Sequence, residues 1–210
     1  TTKKGNYSKK LRKKIGTNKT EIIWDGDKEK KKINSKFFGI GDLTVSWNDE
    51  LLGYSLDTLG SEYYTIYVRS IKSKKLITEK IEETSGAISF SLDDKYIFYT
   101  KLDKNRRAKK IYRHEIGKKL KDDKLILKEK DEKYSVGVVG HTSDKKFFLL
   151  SSSDGVSNEK YYFSIDENLP KPKLFKKRKK NIIYSLDSWD GNFYIHTNEN
   201  AEDFKVCKCS

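Results

Sequence analysis

The acidic cluster Glu129, Asp131 and Glu132 is the group of side chains in this sequence that is most suited to attract a basic ligand. Carboxylates recognise the cationic ends of Lys and Arg side chains through charge-assisted hydrogen bonds. Lysines alternate with these acids along the chain, and their charge opposes that attraction. The cluster is therefore a candidate site for a basic ligand, and its ability to bind one depends on the direction in which the acidic side chains face.

Histidine and serine could together support nucleophilic catalysis, but no spacing in the sequence brings them into a catalytic pattern. A serine nucleophile needs a base within hydrogen-bond reach, and one common arrangement is a G-x-S-x-G turn between a strand and a helix. The chain has no such pattern, and the tripeptide 84–86, which comes nearest, lacks the first glycine. We predict structural roles for His114, His141 and His196, and we assign no catalytic residue.

Cys207 and Cys209 are the two thiols that could bind a soft metal ion. A structural zinc site needs four ligands, and two to four residues usually separate its paired cysteines. Here a single residue separates them, and alternation along a strand would place both thiols on one face. We predict ordinary reduced cysteines, no metal site and no cofactor.

The chain has a strong excess of positive charge, with 45 Lys and Arg against 31 Asp and Glu. Such an excess can mark a nucleic-acid binder. However, only six of the basic residues are Arg, the side chain whose planar fork best recognises phosphates and base edges. The densest basic run, residues 176–180, is predicted to lie in a loop. Since the lysines are spread along the whole chain, we predict a solvated surface and no nucleic-acid partner.

Composition excludes several other classes of protein. Tyr, Phe and Trp make up 12% of the chain, which argues against simple disorder. No run of about 18 apolar residues is present, so we predict no membrane span. The first residues are basic but contain no apolar segment, so no secretory signal is visible.

The sequence contains an internal repeat, and the candidate residues named above lie within it or beside it. Four segments combine a small polar turn with an apolar strand, and each turn contains an aspartate. Spacings of 45, 50 and 46 residues separate Asp49, Asp94, Asp144 and Asp190. We predict that these side chains accept backbone N–H groups in Asx turns, which explains the acids without a binding role.

Each repeat contains about four strands, because a polar hairpin, a second long strand and shorter apolar runs complete the unit. A period of about 45 residues with four strands is typical of a β-propeller blade, whereas a β-sandwich does not require a constant long period. We predict an all-β fold in one domain, residues 1–210, with about three full blades and partial blades on both sides. The segment Tyr7–Trp24 is predicted to be the outer hairpin of an incomplete first blade, and Lys28–Ser35 to hold one helical turn.

Five segments of the chain resemble the propeller of oligopeptidase B, a serine peptidase of the prolyl oligopeptidase family. They occur in the family's order and at its spacings, and a looser match extends over Tyr7–Lys36. The segments are Gly41–Ile71, Ile111–Gly117, Lys128–Tyr134, Ser151–Glu159 and Tyr184–Val206. The sequences IYRHEIG and KEKDEKY within them favour oligopeptidase B over the proline-specific branch of the family.

The resemblance implies a partial arc of a seven-bladed propeller that covers a C-terminal α/β-hydrolase domain of the same polypeptide. That domain would carry a Ser, Asp and His triad and would cleave short peptides after Lys or Arg in the cytoplasm. The propeller would restrict access to the triad. Glu129, Asp131 and Glu132 would then face the propeller channel and attract basic peptides.

Two features indicate that the chain is a piece of a longer reading frame. It contains no Met, and an open arc of blades would expose an apolar face at each end. Residues 1–210 lack the catalytic domain, so we expect them to be inactive alone. The alternatives are a non-catalytic propeller that binds other proteins and, with less support, a basic protein that binds nucleic acid in a salt-dependent way.

Overall fold

Short antiparallel strands joined by polar turns account for most of the regular structure. The computed structural model describes residues 2–3 and 5–209. The earlier strands are β1 (Thr2–Lys3), β2 (Ser8–Lys13), β3 (Thr20–Asp25), β4 (Gly39–Val45), β5 (Leu51–Asp57), β6 (Tyr64–Ser70) and β7 (Ile81–Thr84). The later strands are β8 (Ser89–Phe90), β9 (Tyr96–Leu102), β10 (Ala108–Glu115), β11 (Lys124–Lys128), β12 (Ser135–His141), β13 (Phe147–Ser153), β14 (Asn158–Ser164), β15 (Lys173–Lys176), β16 (Tyr184–Trp189), β17 (Asn192–Thr197) and β18 (Lys205–Cys209).

Consecutive strands pair side by side, so each sheet is an antiparallel meander. We number the sheets in chain order: β1–β3, β4–β7, β8–β11, β12–β15 and β16–β18. The second and third sheets are continuous through a single residue pair, Thr84 with Lys101. No closed sheet occurs within residues 2–3 and 5–209. The four-stranded sheets confirm the prediction of an all-β fold.

The N-terminal segment forms the predicted hairpin, followed by a short helix, α1 (Gly26–Lys32). The helix begins two residues before the predicted turn, because Asp25 caps it by accepting a hydrogen bond from the Lys28 N–H at 3.2 Å. It ends at Lys32 and does not reach Ser35, since the chain is extended at Ile33. In the part of the chain that the structure describes, no helix is long and apolar enough to cross a membrane.

Three apolar clusters fill the spaces between neighbouring sheets. The first joins the hairpin to the second sheet and contains Ile23, Trp24, Phe38, Leu52, Tyr54, Leu56 and Ile71. The second joins the second and third sheets and contains Ile66, Val68, Ile81, Ile88, Phe90, Ile97 and Tyr99. The third joins the third and fourth sheets and contains Phe98, Ile111, Val136, Phe148, Leu150 and Phe163. The first four sheets therefore bury apolar residues against one another in sequence, as stacked repeats do.

The Asx-turn prediction is correct at Asp144 and wrong by one residue at two other turns. Asp144 accepts the N–H two residues ahead, and Asn48 and Asp93 do the same in the equivalent turns. Asp49 and Asp94 follow these acceptors with left-handed backbones, at φ of 61° and 56°. Asn and Asp suit both positions, since they accept backbone N–H groups and tolerate the left-handed region. Residue type alone could not separate the two roles.

The prediction is also wrong at Asp190, because the fourth turn has a different geometry. Only Asp190 and Gly191 separate β16 from β17, and their φ values are 49° and 73°. Positive φ at both central residues is the requirement of a type I′ hairpin, and Asp-Gly is a favoured pair for it. Asp190 therefore serves this hairpin through its backbone conformation.

Aspartates in or near these turns connect neighbouring sheets. Asp94, in the turn before β9, accepts the N–H groups of Trp47 and Asn48 in the second sheet, each at 2.8 Å. Asp187, on β16, accepts the N–H of Ser143 in the fourth sheet at 2.7 Å. These hydrogen bonds add directional constraints to the apolar contacts between sheets.

A buried cation joins the hairpin and helix to the second sheet. Arg69, on β6, pairs with Glu29 of α1 at 2.9 Å and donates to the carbonyl of Ile23. Its guanidinium lies 5.3 Å from the ring centre of Trp24 and 5.2 Å from that of Tyr54. Aromatic faces and a carboxylate together offset the cost of burying this charge.

Candidate functional site

The three predicted acids do not form one acidic surface. Glu129 directly follows β11, and only 7% of its side chain is exposed. Glu132 is 75% exposed and contacts Arg107 at 3.4 Å. Asp131 is also exposed, and its carboxylate accepts the N–H of Lys133 at 3.0 Å. Of the three, only Glu129 points into the protein.

Glu129 forms a two-pronged ion pair with Arg178, which lies after β15. Arg178 Nη1 is 2.9 Å from Oε2 of Glu129, and Nη2 is 3.3 Å from Oε1. The Ser152 hydroxyl also donates to Oε2, and the N–H groups of Lys130 and Asp131 donate to Oε1. Burial alone would raise the pKa of Glu129, but the hydrogen bonds from Arg178 and Ser152 outweigh it and lower this pKa to about 2.

Arg178 connects the third and fourth sheets through further contacts. Its guanidinium lies 3.7 Å from the ring centre of Tyr134, and its Nε is 3.9 Å from the carboxylate of Glu159 on β14. The hydrogen bond to Glu129 raises the pKa of Arg178. We call the group Arg178, Glu129, Glu159, Ser152 and Tyr134 the Arg178 clasp. Because the clasp neutralises Glu129, this carboxylate is not free to bind a basic peptide.

Two lysines of the basic run 176–180 are also engaged in ion pairs. Lys176 and Lys179 both contact the carboxylate of Glu199 in the fifth sheet, the second at 2.6 Å. Their hydrogen bonds lower the pKa of Glu199 to about 2. The run thus links the third, fourth and fifth sheets, which gives it a structural explanation.

A buried group that the sequence did not reveal surrounds His114. This histidine is 0% exposed, and its Nδ1 lies 2.7 Å from Oδ1 of Asp123. The Tyr99 hydroxyl donates to Oδ2 of the same aspartate at 2.7 Å. Burial, and then this hydrogen bond, raise the pKa of Tyr99. A histidine paired with a carboxylate is the geometry of a general base, but no substrate can reach a side chain that is sealed from solvent.

The other two histidines pack against aromatic rings. His141, on β12, meets the ring of Trp47 edge-on at 5.6 Å and the ring of Phe148 at 4.8 Å. Burial, together with the charge of Lys145, lowers the pKa of His141 to about 4, so it is neutral at pH 7. His196 stacks on Phe204 at 4.9 Å. All three histidines therefore have structural contacts.

Cys207 and Cys209 occupy alternate positions on β18 and are free thiols. Within the described ranges, 2–3 and 5–209, no group of three or more His, Cys, Asp or Glu residues is arranged to hold a metal ion.

Comparison with known proteins places this geometry in a family. Residues 1–210 match the N-terminal β-propeller domain of prolyl oligopeptidase. Protease 2 from Moraxella lacunata is 29% identical over 160 residues, which are 75% of this chain and 23% of that protein. A prolyl endopeptidase from Elizabethkingia miricola is 24% identical over 211 residues, which are 94% of this chain and 29% of that protein.

Solved structures show the same fold. Oligopeptidase B from Leishmania major superposes with a TM-score of 0.84 at 22% identity, over 94% of this chain and 28% of that one. The chain thus spans about a quarter of the length of the relatives that it matches. The four-stranded sheets are propeller blades, and the resemblance seen in the sequence is confirmed at the level of the family. This chain belongs to the prolyl oligopeptidase family, as a representative of its N-terminal β-propeller domain.

Proposed function

We propose that this chain is the propeller portion of a serine peptidase that hydrolyses short peptides after Lys or Arg. The observation that carries the proposal is the match of residues 1–210 to a propeller that accompanies peptidases in this family. Protease 2 and the prolyl endopeptidase are peptidases by name, and the chain covers a minor share of each, 23% and 29%. The remaining length of such a polypeptide would supply an α/β-hydrolase domain with a Ser, Asp and His triad.

In this proposal the propeller limits which peptides reach the triad. A ring of blades surrounds a central channel, and a rigid ring admits substrates by size. The Asp94 hydrogen bonds and the Arg178 clasp support rigidity, because they tie the second sheet to the third and the third to the fourth. Asp131 and Glu132 remain candidates for attracting basic peptides, since both are exposed. Glu129 would contribute by holding the turn that presents them.

The proposal also includes an inactive isolated chain, a cytoplasmic location and no nucleic-acid partner. The sequence has no G-x-S-x-G turn, so no serine nucleophile is expected within residues 1–210. Free thiols at Cys207 and Cys209 suit a reducing compartment. The ion pairs of Lys176 and Lys179 with Glu199 leave less of the basic run available to phosphates.

The experiment begins with the reading frame that contains residues 1–210. The complete polypeptide is expressed and exposed to a fluorophosphonate, which labels an activated serine. Fluorogenic peptides that end in Arg, Lys or Pro then report cleavage specificity. Residues 1–210 alone and the complete polypeptide with its labelled serine changed to Ala serve as controls.

We expect one labelled serine, cleavage after Arg and Lys, and no activity in either control. A complete polypeptide without a labelled serine would contradict the proposal and favour the alternative, a non-catalytic propeller that binds other proteins. Cleavage after Pro alone would contradict the basic specificity and leave the peptidase assignment standing.

A further inference from the structure

A cavity of about 310 Å³ lies between the third and fourth sheets. The aromatic rings of Phe98, Phe148 and Phe163 line its apolar side. These rings pack against one another with centroids 4.3 to 5.8 Å apart, and each residue is only 1 to 3% exposed. Arg113 and His141 line its polar side. The cavity is at the small end of the size range of ligand pockets, and it combines an apolar wall with few polar groups, as such pockets do.

Arg113 is the charged group that makes this cavity unusual. It lies on β10 and is only 8% exposed, yet no carboxylate among residues 2–3 and 5–209 pairs with it. Its Nη1 donates to the backbone carbonyl of Asn168 at 2.6 Å, and its guanidinium lies 4.1 Å from the ring centre of Tyr96. A guanidinium carries five N–H donors and does not lose its charge in proteins. Most of its donors are therefore unused beside an open cavity.

Three carboxylates also line the cavity, those of Asp93, Asp166 and Glu167, but none of them forms an ion pair with Arg113. Asp93 is paired with Lys95 at 3.2 Å. Glu167 accepts backbone N–H groups of its own loop, and Asp166 is exposed to solvent. His141 is neutral at pH 7 because burial lowers its pKa to about 4. Because Arg113 has no ion-pair partner among the described residues, an anion that entered the cavity would pair with it directly, against the repulsion of these carboxylates.

We propose that this cavity binds a small carboxylate that carries an apolar group, such as an arylalkyl acid. The carboxylate would pair with the free N–H groups of Arg113, and the apolar group would contact Leu92 and Ile165, which line the cavity and are half-buried. Every residue that lines the cavity lies between residues 91 and 170, in two sheets whose strands are all described. All of the residues that would form the site therefore belong to this chain.

The first test uses the unchanged chain and two probes of equal shape. One is 3-phenylpropionate, and the other is its neutral amide, 3-phenylpropionamide. The ring signals of the histidines are followed by NMR, because His141 lines the cavity and His196, on β17, does not. We expect the acid to shift the His141 signal in a saturable way, with at least about tenfold tighter binding than the amide. The His196 signal should not move.

The second test changes the cation. Arg113→Gln should weaken binding of 3-phenylpropionate at least about tenfold, whereas Arg106→Gln, at an exposed turn, should leave it unchanged. A short peptide with a C-terminal Phe, and the same peptide as its amide, distinguish a free acid from a peptide terminus as the source of the carboxylate.

Equal affinity for the acid and the amide would overturn the proposal, and so would equal movement of the His141 and His196 signals. Unchanged binding by a folded Arg113→Gln variant would overturn it as well. If that variant does not fold, the comparison of acid and amide on the unchanged chain decides.

Discussion

The carboxylate of Asp123 lies 2.7 Å from Nδ1 of His114, and this contact fixes the connection between β10 and β11 to the buried face of β10. Since Tyr99 donates to the other oxygen of Asp123, three side chains share one hydrogen-bonded group in the interior. The group is not fully satisfied, because Nε2 of His114 is buried without a hydrogen-bond partner among the described residues. An unpaired buried polar group is costly, so losing Asp123 as well would add to that cost.

The first prediction concerns this group. Asp123→Ala should lower the free energy of unfolding by about 3 kcal/mol, because it leaves the Tyr99 hydroxyl and the His114 ring without their acceptor. Asp122→Ala, at the exposed neighbouring position, should change it by less than about 0.5 kcal/mol. Urea denaturation followed by circular dichroism measures both. Equal effects would show that the buried group does not contribute to stability.

The second prediction concerns the pH dependence of the Arg178 clasp. The pKa of Glu129 falls from an ordinary 4.5 in the unfolded chain to about 2 in the folded one. The folded state therefore binds fewer protons, and the stabilisation is present above pH 4.5 and is lost as the pH falls towards 2. Glu129→Gln should lower the free energy of unfolding by about 2 kcal/mol at pH 7. It should also make that free energy depend less on pH between pH 4.5 and 2.

Glu132→Gln is the matched control, because Glu132 is exposed in the same turn. Its unfolding free energy should follow that of the unchanged chain across the same pH range. If the free energy of unfolding falls as steeply below pH 4.5 in Glu129→Gln as in Glu132→Gln, Glu129 is not the source of the pH dependence.

The third prediction separates two aspartates with the same backbone conformation. Asp94 accepts two N–H groups of the second sheet, whereas Asp49 has the same left-handed backbone in the preceding turn. Replacing either with Ala adds similar backbone strain, so the difference between them reports the hydrogen bonds between sheets. Asp94→Ala should be about 1 to 3 kcal/mol more destabilising than Asp49→Ala. Thermal and urea unfolding should agree on the order, and a reversed order would refute the role of Asp94.

The fourth prediction tests the acidic turn in the complete polypeptide. Changing both Asp131 and Glu132 to Lys should lower kcat/KM for peptides that end in Arg by about threefold at low salt, and added salt should reduce the difference. Glu129 is left intact because its loss would disrupt the clasp. The same reversal at the exposed pair Glu202 and Asp203 is the control. If both double variants lowered kcat/KM by the same factor, the turn would have no specific role in the channel.

The repeat was visible in the sequence because it rests on local chemistry. Polar turns and alternating apolar residues recur at a nearly constant period, and both are dictated by strands that are buried on their faces. The hairpin at Tyr7–Trp24 follows from the same pattern. Residue types do not show the backbone angle, so the sequence alone does not distinguish the side-chain acceptors Asn48 and Asp93 from the neighbouring Asp49 and Asp94.

The buried ion pairs could not be predicted from the sequence, for a different reason. Glu129 and Arg178 are 49 residues apart, and the chain between them crosses a whole sheet. A run of basic residues predicts a solvated loop equally well whether or not one member turns inward. His114 and Asp123 are close in sequence, but only the path of β10 and the turn after it shows that both side chains point to the same side.

The contacts between sheets have a consequence for the evolution of this repeat. The first three junctions use different polar partners: Arg69 with Glu29 at the first, Asp94 with Trp47 and Asn48 at the second, and the Arg178 clasp at the third. A duplicated or exchanged blade would therefore arrive with donors and acceptors that its new neighbours cannot match. The repeats at these junctions are therefore not interchangeable, although they share one strand pattern.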